Sequence, residues 1–520
     1  MTRALHQPGF TGALPPARFN LARYVLAASA LRTPDKPALL VVEDAARLEP
    51  AETWTYAGIE DAVLRTAAAL RACGLTAGDR LVIRLPNTSA YAILFFAANA
   101  AGLVPIPTSS QLTPAEAQFI LEDSGARAIA LAPDLPVERL PAGVMVLEAA
   151  LIDRMRDHRA RAEYCDSAAD DPAYIVYTSG TTSRPKGVRH AQRAAWGRRP
   201  MYQGWYGISA ADRMLHTGAF NWTYTLGTGL TDPWANGATT IIYTGAKDPA
   251  LWPRLIAAQR ATMFAAVPGL YRQILKYADP TPAAFGELRH GLIAGEATPP
   301  GLAGEWRQRT GRVLYEALGM SELSTFISSS PSVPPKPGAA GKPQAGRSVA
   351  ILPLAGGSEP LARGEHGLLA AHRSDPGMML GYWQRPEEEA QVFRGDWFIG
   401  GDVCSLDEEG YLTHHGRAND LMKAMGYRVA PQEVEAVLAL HPAVAEVACT
   451  EVRVREDLSV IGAFVVRREG ADPSPAELIA FAAARLAAYK VPRELVFVDK
   501  LPRTANGKLQ RKALAARPKG

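Results

Sequence analysis

Cysteine is scarce in this sequence. Four residues in 520, Cys73, Cys165, Cys404 and Cys449, lie far apart, which excludes both a disulfide-stapled secreted scaffold and a metal site of paired cysteines. Charge of one sign is missing too: 56 basic against 52 acidic residues leave +4. No basic block is available to neutralise a nucleic-acid backbone, so nucleic acid is not an expected partner. No long apolar run exists either. The most apolar stretch, Ala92 to Pro107, is interrupted by Asn99 and Pro105 and falls short of the roughly 20 residues a membrane helix needs. Met1 to Phe19 carries Pro and Gly where a signal peptide needs an unbroken apolar region. No internal repeat is found. Together these absences point to a protein of the reducing cytoplasm without a membrane span.

What is present is an ordinary globular composition, 48% hydrophobic and 21% charged, on a chain too long for one core. From Leu81 to Leu314 short β-rich runs alternate with helical patterns, the signature of parallel sheets covered by helices. The runs are Leu81–Leu85, Arg127–Leu131, Tyr174–Tyr177, Thr239–Tyr243, Met263–Ala266 and Leu292–Ala294. Ala92 to Pro107 reads as a buried helix and the strand after it. Thr113 and Glu116 spell a capping box, with Pro114 at the first helical position. After Tyr315 a Pro/Gly/Ser-rich stretch, Ser328 to Gly346, precedes β-like segments at Val349–Leu352, Gly367–Ala371 and Trp397–Ile399. Beyond Gly416, Pro431–Leu440, Val444–Val452, Val460–Val466 and Glu494–Val498 suggest a small α+β domain, with a second helix starting at Ser474-Pro475. The expected fold is α/β: an N-terminal domain over 1–416 with a β-rich subdomain at about 323–416, then a mobile lid domain over 417–520.

One stretch concentrates phosphate-binding chemistry. Tyr177-Thr178-Ser179-Gly180-Thr181-Thr182-Ser183-Arg184-Pro185-Lys186-Gly187 packs hydroxyls, glycines and a lysine between a hydrophobic strand and the next helical stretch. Such a loop can aim backbone N–H groups, hydroxyls and an ammonium at a polyphosphate. It lacks the Gly-Lys-Ser/Thr of a Walker loop. By itself it also fits a solvated Ser/Thr turn.

Its wording resembles the phosphate-binding signature of the acyl-adenylate-forming (AMP-binding) superfamily, and further motifs follow in that family's order. These are Gly295-Glu296-Ala297, Leu318-Gly319-Met320-Ser321-Glu322, Trp397-Phe398-Ile399-Gly400-Gly401-Asp402, Gly416-Arg417-Ala418-Asn419-Asp420, the segment Lys423 to Pro431 with Glu433, and Pro502 to Arg511 around Lys508. The resemblance implies nucleotide contacts from Thr178, Ser179, Gly180, Thr181, Thr182, Gly295, Glu296, Ala297, Glu316, Ala317, Leu318, Gly319, Ser321, Asp402 and Arg417. It makes Lys186, Glu322 and Lys508 catalytic, with Glu322 as ligand to Mg²⁺, Asp402 on the ribose, Asn419 as hinge, and Gly426 and Tyr427 beside coenzyme A during thioester formation. The chain departs from the common pattern at Leu318 (usually a ring), Gly400 (usually Thr) and Asn419 (usually Asp).

The implied function is an ATP-dependent carboxylate–CoA ligase that forms an acyl-adenylate and then a thioester, releasing AMP and pyrophosphate. The benzoate–CoA ligase and medium-chain acyl-CoA synthetase branch is the nearest in wording. The acid is expected against Ala219, Phe220, Asn221, Trp222, Leu318 and Gly319, near His216, Thr217, Gly218 and Gly295. Asn221 stands where amino-acid-activating relatives place an Asp, so an amino acid is disfavoured. An aromatic or alicyclic acid is expected. A medium-chain fatty acid, or a stand-alone adenylation enzyme loading a carrier protein, is the alternative. The implied partners are the acid, ATP and CoA, and a homodimer is the oligomer the reading allows.

Overall fold

The computed structural model describes residues 9–178, 185–278, 280–296, 298–299, 301–420, 422–424, 427–455, 458–486, 488–503 and 509–515, with the backbone alone at Asn419, Lys423, Ala424, Tyr427, Arg428, Val454, Arg455, Leu458, Ser459, Tyr489, Lys512 and Ala515. The chain divides into two units, His6–Ser348 with His372–Asp396, and Val349–Ala371 with Trp397–Gly520.

In the larger unit the most apolar stretch forms the helix Ser89–Ala101, buried on every residue except Ala90. A helix without a polar face can only sit in a core. It stops at Gly102, whose φ of 82° is left-handed; a Cβ there would lie 2.7 Å from the Cys165 sulfur. The next strand, Val104–Pro107, joins a four-stranded parallel sheet with Arg80–Arg84, Ala128–Leu131 and Met145–Glu148. Arg84 is buried within that sheet region and is satisfied by the carbonyls of Leu135, Ser109 and Leu112 at 2.8, 3.1 and 2.8 Å, as a buried guanidinium requires. The Thr113–Glu116 capping box is formed and opens the helix Pro114–Asp123.

The second, nine-stranded sheet has a parallel centre. Its inner order is Val313–Met320, His290–Ala294, Met263–Ala266, Arg213–His216, Thr239–Tyr243, Pro37–Val42. Antiparallel strands close both edges: Pro50–Thr55 on one, Ser324–Ser328 and Lys342–Pro343 on the other. Ligand sites in such sheets collect at the carboxyl ends of the strands, here at His216, Ala266 and Ala294.

One local expectation is corrected. The stretch after Thr178 does not lead from a strand into a helix. Pro172–Thr178 and Lys186–Ala191 form an antiparallel hairpin with Thr178 opposite Lys186. The second strand is held on its other side by Gly381–Tyr382, a partner from far along the chain that no local pattern reveals.

In the smaller unit, Val349–Leu352 pairs antiparallel with Gly367–His372, and Trp397–Leu406 pairs antiparallel with Leu412–Arg417, all in one sheet. Val444–Arg455 and Leu458–Arg467 form a long hairpin, extended in parallel by Glu494–Phe497. The helices Pro431–Leu438 and Pro475–Ala483 contribute Val434, Leu438 and Leu478 to a core with Cys449 and Ile461. Ser474 caps the second helix through the Glu477 amide. Among the described residues no helix is long and apolar enough to cross a membrane, and the four cysteines are free.

Candidate active site

The hairpin that carries Lys186 is anchored from below. Tyr177, at the end of its first strand, donates its hydroxyl to Asp123 Oδ2 at 2.7 Å. Arg385 Nη2 donates to the other Asp123 oxygen at 2.9 Å, and Trp383 Nε1 to the Asp123 carbonyl at 3.0 Å. Gly187 is packed so closely that an added Cβ would meet Ile175 at 2.9 Å. Lys186 itself is 12% exposed; its ammonium pairs with Glu388 at 2.9 Å and lies 4.8 Å from the centre of the Tyr382 ring. An ammonium over an aromatic face is stabilised by the ring quadrupole.

Tyr382 also reaches the second motif. Val313–Met320 and Ser324–Ser328 form a hairpin whose tip is Ser321-Glu322-Leu323. A bulge between Leu318 and Gly319 bends it, and Gly319 has no space for a side chain, since a Cβ would lie 2.5 Å from the Ser324 carbonyl oxygen. At the tip the Tyr382 hydroxyl donates to Glu322 Oε1 at 2.8 Å, and the Met379 amide donates to the Glu322 carbonyl at 2.8 Å. Burial first, and then the charge of Glu322, push the Tyr382 hydroxyl well above its ordinary pKa. It stays a protonated donor. One tyrosine therefore brings the lysine of the phosphate loop and the acidic residue of the second motif together, and sequence reading missed it. The signal was faint: a Gly-Tyr-Trp triplet in an irregular stretch.

Gly295 follows the strand His290–Ala294 and turns with φ 98°. A Cβ there would lie 2.5 Å from Cη2 of Trp222, so conformation and contact both demand glycine. The strand partner of Ala294 is Ala317, and of Ile293 is Glu316. Gly295, Glu296, Glu316, Ala317 and Leu318 thus lie at neighbouring strand ends. The Glu316 amide donates to the Ser329 hydroxyl at 2.9 Å. Of the residues expected around the acid, Phe220 is 1% exposed and packs in the core against Tyr91, with ring centres 5.6 Å apart. Asn221 and Trp222 are half-buried and Ala219 is exposed. Asn87 clamps this turn, accepting from the Phe220 amide at 2.9 Å and donating to the Gly218 carbonyl at 3.2 Å.

In the smaller unit Asp402 and Arg417 face each other across a strand pair. Arg417 Nε and His414 Nε2 converge on Asp402 Oδ1 at 2.9 and 3.0 Å, and Arg417 Nη1 donates to the Gly400 carbonyl at 2.6 Å. His414 is a further partner that sequence reading missed. Asn419 lies in the short 3-10 turn Ala418–Asp420. Met422–Ala424 and Tyr427–Val429 pair as a small hairpin. Glu433 pairs with Lys490. Arg511 makes a two-pronged contact to Glu435, at 2.9 Å through Nη2, and donates to the Cys449 carbonyl at 2.9 Å. Ser179, Gly180, Thr181, Thr182, Ala297, Gly426 and Lys508 lie outside the described residues.

Comparison with known proteins places the chain in a family. Residues 26–383 match the model of the AMP-binding enzymes, and residues 433–508 that of the AMP-binding enzyme C-terminal domain. The 3-hydroxybenzoate–CoA ligase of Aromatoleum sp. (strain CIB) is 29% identical over 486 residues, covering 89% of this chain and 91% of that protein. Among solved structures, the benzoate CoA ligase from Burkholderia xenovorans LB400 superimposes with a TM-score of 0.84 at 30% identity, covering 96% of this chain and all of that one. ATP-bound MatB from Rhodopseudomonas palustris gives 0.87 at 27%, covering 96% and 98%. The chain belongs to the AMP-binding enzyme family. By class it is an acid–thiol ligase of the AMP-forming kind.

Proposed function

We propose that this protein is an ATP-dependent carboxylate–CoA ligase acting on an aromatic or alicyclic acid. The observation that supports it most is the meeting of Lys186 and Glu322 at Tyr382, which sets a cation and a hard carboxylate on one tyrosine. In this reading a carboxylate oxygen of the acid attacks the α-phosphorus of ATP in line, the bond to pyrophosphate breaks, and an acyl-adenylate forms. The CoA sulfur then attacks the acyl carbon and AMP departs. No protein nucleophile is needed, so the enzyme contributes positioning and charge neutralisation.

Each residue takes a part in that scheme. Lys186 faces the polyphosphate, and the hydroxyls and amides of Thr178, Ser179, Gly180, Thr181 and Thr182 cradle it. Gly295, Glu296, Ala297, Glu316, Ala317, Leu318 and Gly319 flank the adenine and Ser321 the α-phosphate. Both described partners of Asp402 bind Oδ1, which leaves Oδ2 to accept from the ribose, with Arg417 alongside. The donor chemistry at Glu322 fits Mg²⁺: a carboxylate, one oxygen of which is oriented by a tyrosine, is the hard ligand this ion prefers. When bound, the ion supplies neutralisation of the phosphate charge. Lys508 bridges the acid and the α-phosphate in the first half-reaction. Rotation of the lid domain, residues 417–520, about Asn419 then brings Gly426 and Tyr427 to the thioester step. A cytoplasmic location and a homodimer belong to the same reading.

Acid-dependent exchange of labelled pyrophosphate into ATP, across benzoates, cyclohexane carboxylates and alkanoic acids, tests it. Ring acids should support exchange and, with CoA added, yield thioester. Exchange with no acid at all overturns the reading, and thioester formation on a phosphopantetheinyl carrier but not on CoA favours a stand-alone adenylation enzyme.

A further inference from the structure

Three side chains outside the nucleotide site converge within the smaller unit. His366 precedes the strand Gly367–His372, His415 lies in Leu412–Arg417, and Glu433 sits in the first turn of the helix Pro431–Leu438. One atom from each, two imidazole nitrogens and a carboxylate oxygen, lies within 4.8 Å of the other two. The start of the helix is seated on the strand: a Cβ on Gly416 would collide with the Gln432 side chain.

The chemistry of this trio suits one class of ligand. The two imidazoles are stacked, with ring centres 3.9 Å apart and 17° between their planes. Two imidazolium charges that close repel each other, so the pair favours neutral rings with lone pairs to offer. The Ser405 hydroxyl lies 2.8 Å from His415 Nε2, an outer hydrogen bond of the kind that orients a ligating imidazole. Glu433 already holds a cation, the Lys490 ammonium. Two nitrogen donors do not suit Mg²⁺, which prefers oxygen, whereas two histidines and a glutamate are a zinc ligand set that leaves a fourth position for water. Zinc at about 2.0–2.2 Å from its ligands sets them about 3.4 Å apart. His366 is exposed, and its ring closes that difference by turning about its side-chain bonds.

Resting on the lid rotation about Asn419 proposed above, we propose that His366, His415 and Glu433 bind Zn²⁺ or a neighbouring divalent transition metal. His415 precedes Asn419 and Glu433 follows it, so the bound ion ties the helix Pro431–Leu438 to the sheet across the hinge and opposes the rotation that alternates the half-reactions. Lys490 competes with the metal for the Glu433 carboxylate.

The test titrates Zn²⁺, and Co²⁺ as a spectroscopic probe, into the full-length protein without nucleotide. One ion per chain is expected at this site, with the visible absorption of four-coordinate cobalt. His366→Ala should weaken binding by ~10-fold or more, His366→Cys, which supplies another zinc ligand, should restore part of it, and Lys490→Met should tighten it. Unchanged affinity in His366→Ala overturns the site. With magnesium nucleotide, acid and CoA present, Zn²⁺ should slow thioester formation several-fold more in wild type than in His366→Ala, since zinc captured by the nucleotide affects both proteins alike. Binding that depends on His366 but slows the two proteins equally overturns the tie across the hinge and counts against rotation about Asn419, while the ligase reading is decided by pyrophosphate exchange without zinc.

Discussion

Tyr382 links Lys186 to Glu322, and its two contacts are of different kinds. Its ring faces Lys186 and its hydroxyl faces Glu322. Tyr382→Phe keeps the ring and removes the hydroxyl, so a charge-assisted hydrogen bond worth roughly 1.5–3 kcal/mol is lost with little change in packing. The expected outcome is a rise of roughly tenfold or more in the KM for magnesium nucleotide with thermal stability near that of wild type, measured by exchange kinetics and a melting curve. For Lys508 the expectation concerns the chemical step. Lys508→Ala should slow adenylation by roughly 10²–10³, as loss of one transition-state donor does, while thioester formation from preformed adenylate persists. Stopped-flow assay of each half-reaction separates the two.

At the scale of elements, packing in the larger unit depends on a buried ion pair. Arg198 and Asp232 are 6% and 0% exposed and meet at 2.6 Å, with a second contact at 2.8 Å and the Tyr206 hydroxyl on the same carboxylate at 2.7 Å. Gly227 is obliged to lack a side chain, since a Cβ would lie 2.0 Å from the guanidinium. Asp232→Ala leaves a buried cation unpaired and should cost about 3–5 kcal/mol, read as a lowered urea midpoint. The helix that carries Asp232 is short, Asp232–Ala235, so the loss comes from the network and not from helix propensity. In the smaller unit, Arg511 and Glu435 tie the helix Arg511–Ala515 to the long hairpin through the Cys449 carbonyl. That gives Arg511, one residue of the terminal motif, an anchoring part.

Three buried histidines shape how the whole molecule responds to pH. His190 and His216 are held at about 3, and His290 at about 4, chiefly by burial, against 6.5 for an ordinary histidine. Between about pH 6.5 and 4 the unfolded chain therefore takes up protons that the folded chain refuses, and stability falls as the pH falls through that window. Each pH unit inside it weakens the fold by up to about 1.4 kcal/mol per such histidine. Urea midpoints should drop from pH 7 to pH 4.5, and His190→Phe, which keeps the stack on Tyr174, should flatten part of that slope. An unchanged slope in the variant would remove His190 from the account.

Much of this protein is written in contiguous residues. The capping box at Thr113, the buried helix before Gly102, the strands at Thr239–Tyr243 and Met263–Ala266, and the order of the motifs all depend on neighbours within a turn or two, so pattern alone determined them. Family membership followed for the same reason, because hydroxyls, glycines and a lysine in one loop are a local statement. The tertiary structure decided what local pattern cannot hold. It paired Pro172–Thr178 with Lys186–Ala191 and added Gly381–Tyr382 as a third strand, joined Lys186 to Glu322 through a tyrosine, and set His414 on Asp402. It put Phe220 in the core. These outcomes come from strand pairing and burial between segments far apart in the chain, where the free energy belongs to the contact and neither segment carries it alone.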